Sequence, residues 1–187
     1  QREKNLLKEM ESARAVQERL MPPMMGSIGD LEYVVYSKAG RVVAGDLFGM
    51  NVAGDGRVAI YLGDVAGKGV GAGMLMASIQ ATISAYLEPG CSSSELIVKL
   101  NHYVSNHSGA AEFVTMFFVQ FDAKTSAAQV LDAGHGYALI IRGQEIILLN
   151  ECEGGPPVGA VPGMPFDEST VPLMSGDRLM IYLVIAL

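Results

Sequence analysis

The feature that most restricts the fold of this chain is a run without charge. From Gly69 to Leu87 it passes 19 residues with no acidic or basic side chain. A stretch of about 20 mostly apolar residues is what a membrane-crossing helix needs. This one also carries Ser78, Gln80, Thr82 and Ser84, with glycines at Gly69, Gly71 and Gly73. A helix buried inside a protein domain fits that mixture better, so no membrane span is expected. Three strand-like runs precede it, and a second helical stretch and more strands follow. Strands, two adjacent helices, then strands is not the βαβ alternation of a parallel sheet. It predicts an α+β fold of mixed or antiparallel sheets with helices packed on them.

The early strands are Leu31–Ala39, Arg41–Met50 and Arg57–Val65, with Asn51–Gly56 as a hairpin turn. Val70–Leu87 and Ser93–His107 are the helices. Ser92, Ser93 or Ser94 caps the second, and Glu95 lies in its first turn. Glu112–Asp122, Ala127–Ala133, Tyr137–Ile141 and Glu145–Leu149 follow as strands. The Gly154-Gly155-Pro156-Pro157-Val158-Gly159 passage interrupts them, and Glu168–Leu173 and Arg178–Ile185 complete the set.

Residues 1–23 read as a separate linker or coiled-coil helix, leaving 24–187 as the main domain. Leu6, Met10, Ala13, Gln17 and Leu20 recur at heptad spacing, and Pro22-Pro23 stops the helix. That helix either docks on its own domain or ends a coiled coil leading from an upstream module. In the second case the seam predicts a homodimer. A chain beginning at Gln1 is expected to be a piece of something longer. Residues 1–19 carry a net +1, so the remaining 168 residues carry the acidic excess, within a total of −7. No basic surplus is available to displace phosphate counterions, which excludes ordinary nucleic-acid binding. Cys91 and Cys152 form no CxxC pair, so neither a zinc knuckle nor a disulfide framework is expected. The N-terminus is charged and lacks a signal-peptide core, so a cytoplasmic, reducing location is expected.

Two aspartates stand at the ends of apolar strand runs, Asp46 after Gly45 and Asp64 after Gly63. A lone carboxylate is costly to bury there. Either each caps a turn or both share a hard cation such as Mg²⁺ or Mn²⁺. Gly67-Lys68-Gly69-Val70-Gly71-Ala72 matches G-x-G-x-x-A, but Glu88 ends a helix rather than a second parallel strand, and Asp64 would repel a pyrophosphate. A dinucleotide-binding enzyme is therefore the weakest reading. His135, in Asp132-Ala133-Gly134-His135-Gly136, is expected to orient a turn between strands.

Several strings in order carry a resemblance. They are Gln17–Pro23, Ala44-Gly45-Asp46, Val58–Gly69 followed by Met74-Leu75-Met76-Ala77, Phe113–Phe117, Asp132–His135, Pro157-Val158-Gly159 and Ser175-Gly176-Asp177. Together they resemble the sigma-factor-regulator and sporulation-phosphatase branch of the metal-dependent protein phosphatase (protein phosphatase 2C) superfamily. The resemblance implies an αββα sandwich of two mainly antiparallel sheets flanked by helices. It also implies hydrolysis of phosphoserine or phosphothreonine on a protein such as an anti-sigma-factor antagonist, in a signalling pathway with an upstream sensor or receiver domain. Asp46, Asp64 and the Val65 carbonyl would hold two Mn²⁺ or Mg²⁺ ions, and Asp46 and Asp64 would be the catalytic pair. Gly45, Gly67, Lys68 and Gly69 would shape the substrate loop.

The departures are specific. Gly49 stands where the family has a second aspartate, and Val184 stands where a later metal-binding aspartate is expected. The closing strands of the family are not found before Leu187. The resemblance thus implies a phosphatase domain impaired by a short ligand set. The alternative is an inactive pseudo-phosphatase that acts as a binding or dimerising module.

Overall fold

A computed structural model describes residues 2–36, 45–67, 69–109, 112–149 and 154–183. Helix α1 (Arg2–Leu20) is followed by a small hairpin of β1 (Met25–Ile28) and β2 (Leu31–Val34). The expected strand Leu31–Ala39 is thus realised only in its first half, and residues 37–44 lie outside the described ones. The main sheet contains β3 (Asp46–Val52), β4 (Val58–Val65), β5 (Val114–Asp122), β6 (Ala127–Ala133) and β10 (Ser169–Pro172). Their order is β10-β6-β5-β4-β3, all antiparallel, with β9 (Gly154–Gly155) pairing parallel to β6. A second, three-stranded antiparallel sheet is built from β7 (Ala138–Arg142), β8 (Glu145–Leu148) and β11 (Arg178–Ile181).

The uncharged run becomes α2 (Val70–Tyr86), and α3 (Ser93–His107) follows it, so the two helices connect β4 to β5. Ser92 caps α3 through a reciprocal box. Its hydroxyl accepts the Glu95 N–H at 3.1 Å, and its own N–H donates to the Glu95 carboxylate at 3.1 Å. One face of the main sheet, including Tyr61, Val65, Met116 and Phe118, packs on Met76, Ile79 and Ile83 of α2 and Leu96, Leu100 and Val104 of α3. The other face presents Phe117, Val119, Ala128 and Val130 to Ala138 and Ile140 of the second sheet. Strand β5 is therefore covered on both sides, which is why its sequence is nearly all apolar. Each such side chain contributes about 2 kcal/mol on burial.

The layers are helices, sheet and sheet, which bears out the α+β class and the stacked sheets. No helix among the described residues crosses the outer face of the second sheet, where Ile146, Leu148 and Met180 are exposed. No helix among them is long and apolar enough to cross a membrane. Helix α1 packs on α2 with Gln17 buried, Met10 and Ala13 half-buried, and Met21 reaching the core. Part of the heptad seam is thus used within the chain, while Val16 and Leu20 stay exposed.

Candidate functional site

The hairpin turn spans residues 53–57 rather than the expected Asn51–Gly56, because Asn51 and Val52 are paired in β3, and it fixes the register of β3 against β4. Val52 pairs with Val58, and counting back along both strands brings Asp46 opposite Asp64. The Val65 N–H donates to the Gly45 carbonyl at 3.2 Å, so Gly45 and Val65 form a hydrogen-bonded pair. Antiparallel pairs alternate, which makes Asp46–Asp64 a non-bonded pair, the kind whose side chains lie closest. The two carboxylates therefore face one another at one edge of the main sheet. They share the face of β4 that carries Ile60, the face turned toward the second sheet.

The electrostatics follow from that geometry. Burial, and then the neighbouring Asp46, push the Asp64 carboxyl above its ordinary range. Two like charges about 4 Å apart repel by about 4 kcal/mol at an effective dielectric of 20. Among the described residues neither carboxylate makes an ion pair. A shared proton or a shared cation relieves the repulsion. A built Cβ on Gly45 would lie 2.8 Å from the Val65 carbonyl oxygen and 3.4 Å from Asp64 Oδ1, so a larger residue would crowd this edge.

After Val65 the chain turns through Gly67 and Gly69, both in the left-handed region at φ 112° and 80°, and enters α2 without a side-chain cap. Lys68 lies outside the described residues. Strand β4 is antiparallel to both neighbours, so this loop does not belong to a βαβ unit. That counts against the dinucleotide reading of the glycine string. Gly49 also has a structural reason. A Cβ there would fall 2.2 Å from the Tyr61 ring, which is buried, stacked on Phe118 and tethered by its hydroxyl to Asn51 at 3.0 Å. A side chain at that position, the family's aspartate included, would require the Tyr61 ring to move.

The other polar strings are satisfied internally. Asp132 accepts the backbone N–H groups of His135 at 2.6 Å and Gly136 at 2.8 Å. His135 donates from Nε2 to the Tyr182 carbonyl at 3.0 Å. Burial lowers the His135 pKa, which leaves a neutral ring at pH 7 with its proton on Nε2. A cleft of about 500 Å³ opens beside this turn, between Asp132, His135, Tyr137 and four glycines. Asp177 is held by Arg142 at 2.7 Å and by the Met174 N–H at 2.9 Å. Asn101 ties the Pro157-Val158-Gly159 loop beneath α3, accepting the Gly159 N–H at 2.7 Å.

No group of three or more His, Cys, Asp or Glu side chains suited to a metal forms among the described residues. The expected two-ion site is therefore not assembled from them. What they offer is two facing carboxylates, a donor set that fits one hydrated hard cation. Thr115, the Cα partner of Asp64 on its other side, is a neighbour that the sequence did not single out. Its position depends on a β4–β5 register set across two helices, and no local signal reports it.

Comparison with known proteins agrees with this architecture. Residues 54–182 match the family model "Stage II sporulation protein E (SpoIIE)". Protein IcfG of Synechocystis sp. is 27% identical over 201 residues, covering 93% of this chain and 32% of that protein. Phosphoserine phosphatase RsbP of Bacillus subtilis is 23% identical over 183 residues, covering 95% of this chain and 45% of that protein. The chain thus spans about a third of the length of the first of these relatives and less than half of the second. The SiaA-PP2C domain of Pseudomonas aeruginosa shares the fold, with a TM-score of 0.76 at 19% identity over 95% of this chain and 71% of that one.

Proposed function

The chain belongs to the stage II sporulation protein E (SpoIIE) family, and from that premise we propose that it is a divalent-metal-dependent protein serine/threonine phosphatase domain. Its substrate is a phosphoserine or phosphothreonine on a regulatory protein of the anti-sigma-factor-antagonist type. The observation that carries this reading is the meeting of Asp46 and Asp64 as a close cross-strand pair. Bound Mn²⁺ or Mg²⁺ would polarise the phosphoryl group and lower the pKa of a water molecule.

The chain's own residues have distinct tasks. Asp46 and Asp64 would hold the cation, whose positive charge would offset their mutual repulsion. The Val65 carbonyl lies beside Gly45 at the same edge and adds a neutral oxygen donor. Gly67 and Gly69 let the loop bend away so that phosphoprotein can approach. His135 and Asp132 fix the neighbouring turn and take no proton from substrate. Helix α1 joins the domain to an upstream sensor or receiver module, and its exposed Val16 and Leu20 pair two chains.

One observation favours a second reading, an inactive relative that binds phosphoprotein without cleaving it. The described residues supply no third carboxylate to the pair: Gly49 carries no side chain and lies opposite Tyr61 on the helix-covered face, not the face of Asp46 and Asp64. Release of inorganic phosphate from a phosphoserine protein, measured with and without Mn²⁺, separates the two. Mn²⁺-dependent release that is lost in Asp64→Asn supports the enzyme. No release despite saturable binding of the phosphoprotein supports the inactive form.

A further inference from the structure

The cleft beside the Asp132–Gly136 turn opens at the same end of the main sheet as the carboxylate pair. Asp132 pairs with Phe117, two residues along β5 from Thr115, the Cα partner of Asp64. Asp46, Asp64 and Asp132 all lie on the face turned toward the second sheet. Only β5 separates β6 from β4, so at about 4.8 Å per strand the cleft begins about 10 Å from the pair.

The lining limits what can enter. Gly134, Gly136, Gly154 and Gly155 contribute backbone and no side chain. A Cβ built on Gly136 would meet nothing within 4 Å, so that wall stands open. No Lys or Arg among the described residues lines the cleft, and both Asp132 oxygens are taken by backbone N–H groups. The cleft therefore carries nothing to hold a phosphate. Its exposed ring is Tyr137, 44% accessible. His135 meets that ring edge-on with centroids 6.1 Å apart, and the tilted Tyr182 ring lies 5.5 Å from it. The Tyr137 carbonyl also accepts the Tyr182 N–H at 3.1 Å. A ring already held in place loses little freedom when a partner covers it.

We propose that this cleft is the docking groove for an extended, uncharged segment of the phosphoprotein beside the phosphoserine, with Tyr137 as its anchor. This rests on the reading that places the phosphoryl group at Asp46 and Asp64. Extended chain advances about 3.3 Å per residue, so a segment three to four residues from the phosphoserine reaches the groove. Bare glycine walls let main chain approach closely, and the Tyr137 ring supplies the apolar surface that the segment covers.

The test uses two fluorescein-labelled peptides, phosphoserine flanked by one alanine on each side and phosphoserine flanked by four. Anisotropy read on mixing with the folded chain and Mn²⁺ gives their affinities. The groove predicts that the parent binds the long peptide about tenfold more tightly than the short one. Tyr137→Ala removes that advantage, and Tyr137→Phe, which keeps the ring, retains it within about threefold. The comparison of peptide lengths on the parent needs no variant, so it decides the matter even where Tyr137→Ala fails to fold. Equal affinity of the parent for the two peptides, binding of neither, or an advantage that survives in Tyr137→Ala overturns the groove. Hydrolysis of p-nitrophenyl phosphate, which has no flanking chain, is followed alongside. If the parent shows no Mn²⁺-dependent turnover of it, the phosphatase reading fails. Turnover without a length advantage fails the groove alone.

Discussion

The two ends of β4 carry aspartates in opposite circumstances. Asp55, in the turn before the strand, accepts the Gly90 N–H at 2.9 Å, the Arg57 N–H at 3.1 Å and the Arg57 Nε–H at 2.9 Å. Those donors, the Gly90 bond foremost, pull its pKa down to about 2. Asp64, at the far end, faces another carboxylate, and burial with that neighbour pushes its pKa up. A satisfied carboxylate stabilises a turn. A pair of carboxylates that meet one another repel when both are ionised, and a cation would relieve that. The same contrast divides the family's strings. Asp132 and Asp177 are satisfied by N–H and guanidinium donors and belong with Asp55. Asp46 and Asp64 stand apart.

Asp132 gives the largest expected effect on the satisfied side. Asp132→Ala leaves two backbone N–H groups without their acceptor and costs about 2 kcal/mol. Its melting temperature falls by roughly 5 °C, while its Mn²⁺ affinity stays within twofold. A loss of Mn²⁺ binding in this variant would move Asp132 to the other class.

Asp55 sharpens the contrast through pH. Its folded pKa is depressed, so its contribution is fully present above about pH 4 and is lost as pH falls through about 2. Solvent screening holds that contribution to about 1 kcal/mol. Urea midpoints of the parent and Asp55→Asn should differ at pH 7 and converge toward pH 2. A constant gap would break the assignment.

The smallest effect has the opposite sign. Without metal, Asp64→Asn relieves the like-charge pair and stabilises the fold by about 0.5 kcal/mol. The gain is present at pH 7 and fades as acid protonates Asp64 in the parent, because its folded pKa is raised. Destabilisation in metal-free buffer would mean that Asp64 has a hidden donor.

Part of the fold is legible in the sequence itself. Uncharged α2 and the Ser92–Glu95 box of α3 are local signals, and α3 spans the expected Ser93–His107. The expected Asn51–Gly56 turn begins too early: counting from it pairs Met50 with Arg57 and sets Asp46 opposite Tyr61, whereas Asn51 and Val52 extend β3 and set Asp46 opposite Asp64. Strands β1 and β9 were not legible. Met25–Ile28 is a four-residue exposed strand, and Gly154–Gly155 has no side chains to show a period. The Thr115 neighbour and the Gly49–Tyr61 contact were equally hidden, because each depends on packing between segments.

The central claim is that Asp46 and Asp64 together form a cation site. Calorimetric titration with Mn²⁺ at pH 7.5, on the parent, Asp46→Asn, Asp64→Asn and Asp55→Asn, tests it most directly. The account predicts one Mn²⁺ bound by the parent and by Asp55→Asn, and binding weakened by about 100-fold in each of the other two. Equal binding by all four proteins, or none by the parent, would contradict it.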